Sequence, residues 1–206
     1  MELNNQASFI IIGTGGFAVE LSSLIRDAGL NITGFIGPTH GDNLKEDWLG
    51  DDDCLDKMKS DQYFLIAIGE PLRREELFIK LEKMILEIGI FIHKSSYISN
   101  SSSIETGSII YPGSSIHANV TLEKGVLVNS NSTIGHETTI GAFSNIGPGC
   151  SIGGKCTFGK RVYLGIGATV IENISIVDDV VIGAGAVVNK DITEEGKYVG
   201  VPSRKI

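Results

Sequence analysis

The chain has 206 residues, with 17 lysines and arginines against 25 aspartates and glutamates, for a formal net charge of −8. Its 42% hydrophobic and 20% charged residues can bury a core, which excludes wholesale disorder. The longest apolar runs, Phe9 to Ile12 and Phe64 to Ile68, are far too short to span a bilayer. A net negative chain with no visible basic patch repels phosphates, so nucleic acid is not an expected partner. The start, Met-Glu-Leu-Asn-Asn-Gln, has neither a basic opening nor a leader-like stretch, and the expected setting is cytoplasmic, without a membrane partner. Cys54, Cys150 and Cys156 lack metal-type spacing and fit a reducing compartment.

Glycine accounts for 26 residues, near twice the usual share of about 7%. The glycines fall into two patterns, one at each end of the chain. In the first, Ser8-Phe-Ile-Ile-Ile reads as a buried strand. It runs into the turn Gly13-Thr14-Gly15-Gly16-Phe17-Ala18 and then into a helix from Val19 that stops at Gly29. Asn31 to Ile36 predicts a second strand and Tyr63 to Ile68 a third. Leu72 to Ile88 follows as an amphipathic helix ended by Gly89. The charges from Asp42 through Asp53 read as a solvated loop. Strand, glycine turn, helix, strand begins a doubly wound α/β sheet, here with room for three or four strands. Such a turn lets backbone amides meet an anionic group at a helix N-terminus. A full dinucleotide site wants an acidic residue near the end of the second strand, where this chain has Gly37-Pro38-Thr39. A single nucleotide or nucleotide sugar therefore fits better than NAD, and a packing turn with no ligand is the alternative.

From Ile98 onward every sixth residue is large and apolar through Val188, sixteen positions without a polar residue or a slip of phase. Two residues before each stands a small or β-branched side chain, Ser96, Ser114, Ser132, Cys150 and Ala168 among them, and glycine often follows the large one. Neither a period of 2 nor one of 3.6 produces this; a period of six is the mark of a parallel β-helix. Three hexads close one triangular coil, so residue i stacks on residue i+18. At about 4.8 Å per rung the five or so coils make a prism about 25 Å long. Cys150 and Cys156 fill successive small slots on different faces.

Of the four histidines, His40 and His93 read as incidental and His117 as a surface side chain. His136 lies mid-prism on an outward position with Glu137 beside it. An imidazole next to a carboxylate is a candidate general base near neutral pH.

The chain resembles, over nearly its full length, the NeuD/PglD family of sugar acetyltransferases. The matching pieces are Ile-Ile-Gly13-Thr-Gly-Gly-Phe17, Ile66-Ala-Ile-Gly69 followed by Arg73-Arg74, Ile92-His93-Lys-Ser, Ile134-Gly-His136-Glu137, and Val199-Gly-Val-Pro-Ser. The resemblance implies a Rossmann-like N-terminal domain, residues 1–93, binding the acceptor. It implies a left-handed β-helix of hexapeptide repeats, residues 94–206, binding acetyl-CoA and carrying catalysis in a homotrimer, with no metal. The implied base is His136 and the orienting acid Glu137, and the amide of Gly154 would face the thioester oxygen. Ile166 and Ala184 would contact the pantetheine arm through their backbones, along a groove between two prisms. Asn145 stands where some members have a histidine near the acetyl group. The acceptor would meet Gly13, Gly15, Gly16 and Phe17, together with Asn129.

Members that N-acetylate a nucleotide-linked amino sugar usually carry histidine at the position of Phe17, and several have acidic residues at Gly37 and Pro38. The Gly-Gly-Phe form is closer to the sialic-acid O-acetyltransferase branch, so an amino and a hydroxyl acceptor, on a nucleotide-linked amino sugar or a sialic-acid-like sugar, both stay open. A noncatalytic scaffold and a γ-type carbonic anhydrase are the alternatives. The latter needs three zinc-binding histidines per site, against His117 and His136 here.

Overall fold

The computed structural model describes residues 8–58 and 62–206. They form two compact units, the first ending at Ile90 and the second running from Phe91 to Ile206. The division precedes the expected 93/94 boundary because Phe91–Ile92 pair in parallel with Ile109–Ile110 and so form a first rung of the prism.

In the N-terminal unit, β1 (Ser8–Ile12), β2 (Asn31–Ile36), β3 (Trp48–Gly50), β4 (Tyr63–Ile66) and β5 (Glu87–Ile88) make one parallel sheet in the order β3-β2-β1-β4-β5. The sheet thus has five strands, more than the run lengths suggested. The two additions are short edge strands, which carry little hydrophobic signal. Phe9 to Ile12 are 0–1% exposed, as expected of a central strand covered on both faces. Helix α1 (Gly16–Asp27) covers the sheet with Ala18, Leu21 and Ile25, and helix α2 (Pro71–Lys83) with Leu77, Phe78 and Leu81. Gly29, at φ +74°, closes α1 by donating to the carbonyl of Arg26. Helix α2 stops at Lys83 rather than running to Ile88, because Ile85 takes a left-handed φ of +58° and turns the chain back to the sheet edge. The acidic segment before residue 53 is likewise not wholly loop: it contains β3, and a 3₁₀ turn follows at Asp52–Lys57.

The second unit is the prism. Residues 18 apart stand in register, as in Ser115 on Thr133 and Ile116 on Ile134. The first face runs from Tyr97–Ile98 to Val187–Val188, the second from Ser103–Ile104 to Ser175–Ile176. The third begins at Phe91–Ile92 and continues past Val180–Ile182 into Gly196–Val199 and Arg204–Lys205. Large residues of the hexads fill the interior; Ile116, Leu122, Val128, Ile134 and Ile140 are all fully buried.

The small slot does more than admit a corner. Ser132 Oγ donates to the carbonyl of Gly147 at 2.7 Å, Thr138 Oγ1 to Gly153 at 3.1 Å, and Ser144 Oγ to Gly159 at 3.1 Å. Each also accepts from the amide one rung above, that of Cys150, Cys156 or Val162. Cys150 and Cys156 continue the series, their Sγ atoms 3.2 and 3.1 Å from the carbonyls of Gly165 and Ile171, and burial raises both thiols above their ordinary pKa. Corner backbone groups that turn out of the ladder are thereby satisfied inside the core. We expect Ser132→Ala, which orphans two buried groups, to lower urea-unfolding stability by about 1–3 kcal/mol. The exposed Ser175→Ala should stay within about 0.5 kcal/mol of the parent.

Candidate active site

Two places combine reactive groups with a defined geometry, one in each unit. The first is the corner between the first and second prism faces. His136 and Glu137 follow the strand Thr133–Ile134, and Gly154 and Lys155 follow Ser151–Ile152 one rung above. His136 Nδ1 lies 2.9 Å from Glu137 Oε2, with the two side chains 56% and 48% exposed. A carboxylate can only accept, so Nδ1 carries the hydrogen, and in the neutral ring the lone pair falls on Nε2. Lys155 Nζ stands 4.0 Å from the same Glu137 oxygen, and the Lys155 amide donates to the His136 carbonyl at 2.8 Å. Glu137 and Lys155 hold φ values of +59° and +57°, a left-handed conformation that costs a side-chain-bearing residue about 1–2 kcal/mol. The coil geometry imposes it at both rungs and thereby stacks the two corners.

Gly154 gives the ring its space. A Cβ there would come 2.6 Å from His136 Nε2 and 2.8 Å from Cε1. The imidazole lies flat against the glycine with its basic nitrogen on that side.

The other residues expected in the catalytic half lie elsewhere on the prism. Asn129, Ile166 and Ala184 occupy the corner between the third and first faces, and the Gly185 amide ties the two later rungs by donating to the Ile166 carbonyl at 2.8 Å. Ile166 is 64% exposed. Asn145 precedes the inward Ile146 and so belongs to the outer side of the third face, yet it is only 7% exposed. One prism therefore brings His136, Glu137 and Gly154 together and leaves Ile166, Ala184, Asn145 and Asn129 away from them. His117 is engaged edge-on with the Tyr97 ring, and His93 Nδ1 with Ser95 Oγ at 2.8 Å.

The second place is a cleft of about 520 Å³ at the carboxyl ends of β1, β2 and β4, where the strand order reverses between β1 and β4. That switch point is where open α/β sheets hold ligands. Gly13, Thr14 and Gly15 line it, whereas Gly16 and Phe17 already belong to the first turn of α1 and are not in its wall. A Cβ on Gly13 (φ +129°) would come 2.6 Å from the Ala67 carbonyl, so no other residue fits this approach of β1 to β4. At Gly37, where the chain leaves β2 without a carboxylate, a Cβ would press on the Thr14 side chain at 2.9 Å. Acidic groups enter the wall from another segment: Asp51, Asp52 and Asp53 line the cleft along with Ile68, Arg73 and Leu77. Arg73 pairs with Asp52 and, at 3.0 Å, with Glu76. The acidic run predicts a solvated loop; only the pairing of β3 with β2 folds Asp51 to Asp53 over the cleft.

Among the described residues no cluster of histidine, cysteine and carboxylate side chains could hold a metal, and no helix is long and apolar enough to cross a membrane.

The two units define a class: an α/β domain with a switch-point cleft, joined to a hexapeptide-repeat β-helix with a histidine–carboxylate corner. Comparison with known proteins narrows it. Residues 8–81 match the family described as the PglD N-terminal domain. PerB from Caulobacter crescentus, solved with CoA and GDP-perosamine, is 27% identical over 97% of both chains, with a TM-score of 0.92. The perosamine N-acetyltransferase of the same organism, in a histidine variant with the same ligands, is 26% identical over 97% of both chains, with a TM-score of 0.90. The acetyltransferase domain of PglB from Neisseria gonorrhoeae, solved with acetyl coenzyme A, shares the fold at a TM-score of 0.93 and 24% identity, over 98% of this chain and all of that one. The N-terminal unit matches the PglD N-terminal domain family over residues 8–81, and the chain shares the fold of these structures, an α/β domain followed by a left-handed β-helix.

The contact of Gly154 with the ring gives a direct check. The imidazole is exposed and can swing away from an added methyl group. We expect Gly154→Ala to move the thermal midpoint by no more than about 2 °C, while a crystal structure of the variant shows the His136–Glu137 contact broken.

Proposed function

We propose that this chain is an acetyl-CoA-dependent sugar acetyltransferase whose acceptor is a nucleotide-linked amino sugar, with direct transfer at His136. The observation that carries the reading is the His136–Glu137–Gly154 corner, in a chain that matches PerB over 97% of both lengths. Nε2 takes a proton from the attacking amine as its nitrogen closes on the thioester carbonyl carbon. Glu137 holds the ring by Nδ1–H and stabilises the imidazolium that forms. The Gly154 amide is assigned to the developing oxyanion, a role typically worth about 3 kcal/mol. When the tetrahedral centre collapses the C–S bond breaks, and the CoA thiolate regains the proton from the imidazolium. No covalent enzyme intermediate and no metal takes part.

The acceptor's nucleotide is assigned to the cleft of the N-terminal domain, residues 1–93, with Gly13 and Gly15 as its turn, Gly16 and Phe17 behind them at the start of α1, and Asn129 as a further contact. The β-helix domain, residues 94–206, is assigned acetyl-CoA, with Asn145, Ile166 and Ala184 along the pantetheine arm. Ile166 and Ala184 share a different corner of the prism from His136, so a complete site takes these groups from two neighbouring prisms, as in a homotrimer. The half-exposed Tyr163 and Val181, paired across the third face, suit such packing. Phe17 and the absent carboxylate at Gly37 favour a second reading, O-acetylation of a sialic-acid-like sugar by the same base.

His136→Ala should lower turnover by about 10²-fold or more with the oligomer intact, and Glu137→Gln by less; near-normal turnover in His136→Ala, with acetyl-CoA and GDP-perosamine or a UDP-linked amino sugar, overturns the assignment. In a thermal-shift panel, stabilisation by nucleotide sugars supports the amino-sugar acceptor, and stabilisation by free sialic acid alone supports the second reading.

A further inference from the structure

Among the described residues Arg74 is the largest fully buried side chain, and the reaction above does not use it. It projects from the first turn of α2 back beneath the segment that leaves β4. The β4 ladder extends to Ala67, whose amide donates to the Ile12 carbonyl at 2.7 Å, but Ile68 and Gly69 have turned out of it. Arg74 Nη1 donates to both of their carbonyls, at 2.7 Å and 3.4 Å. From the other side the Glu70 carboxylate caps α2 by accepting from the amides of Leu72 and Arg73, at 3.0 and 2.6 Å.

The turn so tied is a wall of the cleft. Ile68 lines it, and its Cδ1 lies 3.3 Å from where a Cβ on Gly13 would stand, so the turn backs directly onto the glycine loop. A buried guanidinium is expensive to keep. Burial brings its pKa well down from the ordinary guanidinium range to about 9, against a smaller upward push from Glu70, and it remains charged at neutral pH. An apolar side chain could fill the volume. It could not donate to two carbonyls that have left the ladder.

We propose that Arg74 is a positioning residue for the acceptor: by clamping the Ile68–Gly69 turn against Gly13 it sets the shape of the N-terminal cleft. The inference rests on the acceptor reading of that cleft. It assigns Arg74 no contact with substrate. Loss of the clamp should weaken acceptor binding and leave the acetyl-CoA half alone.

The test compares Arg74→Met and Arg74→Lys with the parent full-length protein. GDP-perosamine serves as acceptor, CoA binding is followed by calorimetry, and hydrogen exchange is read at residues 67–70. For Arg74→Met we expect an acceptor KM raised about tenfold, kcat within about twofold, an unchanged Kd for CoA, and faster exchange confined to residues 67–70. Arg74→Lys, which keeps the charge and a single donor group, should recover part of the KM. An acceptor KM within about twofold of the parent in Arg74→Met overturns the proposal, as does a rise in which kcat and the CoA Kd move alongside. If Arg74→Met does not fold, Arg74→Lys is judged by the same measurements. If the parent does not acetylate GDP-perosamine, it is the acceptor reading that suffers. The exchange at residues 67–70 then decides the clamp, and unchanged protection in the variants rejects it.

Discussion

Stacking of each residue on the one 18 positions later is the constraint from which the prism and its candidate site follow. It sends the large member of every hexad inward and places every corner directly over another corner. Because of it, His136 and Glu137, besides touching each other, face Gly154 and Lys155, 18 positions further along the chain. The same repeat forces left-handed backbone on Glu137 and Lys155, which neither side chain favours locally. The coil overrides local preference because each rung ties its backbone to the next, as the Lys155 amide does to the His136 carbonyl.

Polar satisfaction follows the same register. Serine, threonine and cysteine in the small slots donate to carbonyls 15 residues further on. This series explains why slots that could all be alanine or valine are so often hydroxyl-bearing between Ser96 and Ser144. Towards the C-terminal end the slots become Val162, Ala168, Ile174, Val180 and Ala186, and packing alone fills them.

The α/β unit obeys a different logic. Its cleft forms where strand order reverses, and its wall draws on four separate segments: the glycine turn, the end of β2, the residues after β3, and the β4–α2 turn. Two of these are held by side chains from elsewhere, the Gly37 carbonyl accepting from Trp48 Nε1 at 3.0 Å and the Ile68 carbonyl from Arg74. The shape of the cleft depends on buried or half-buried donors that show no periodicity, so they leave no pattern to read along the chain. The cleft is also more acidic than its glycine turn suggested, with Asp51 to Asp53 facing it and Arg73 already neutralised by Asp52 and Glu76.

Period alone determined the prism, its register and the inward residues, because a six-residue repeat admits one closed solution; it put Glu137 beside His136 along the chain but not their side chains in contact. The glycine turn likewise announced β1, α1 and β2. Edge strands β3 and β5 are too short to carry a pattern, and nothing about Ile85 as a residue type signals the left-handed turn that ends α2 before Ile88. Tertiary structure alone decided that Ile166 and Ala184 stand at a different corner from His136, that Gly154 lies against the imidazole, and that Arg74 closes the turn behind the cleft. Those contacts join residues through folding of separate segments, and their physical cause is the meeting of surfaces in space, for which order along the chain provides no measure.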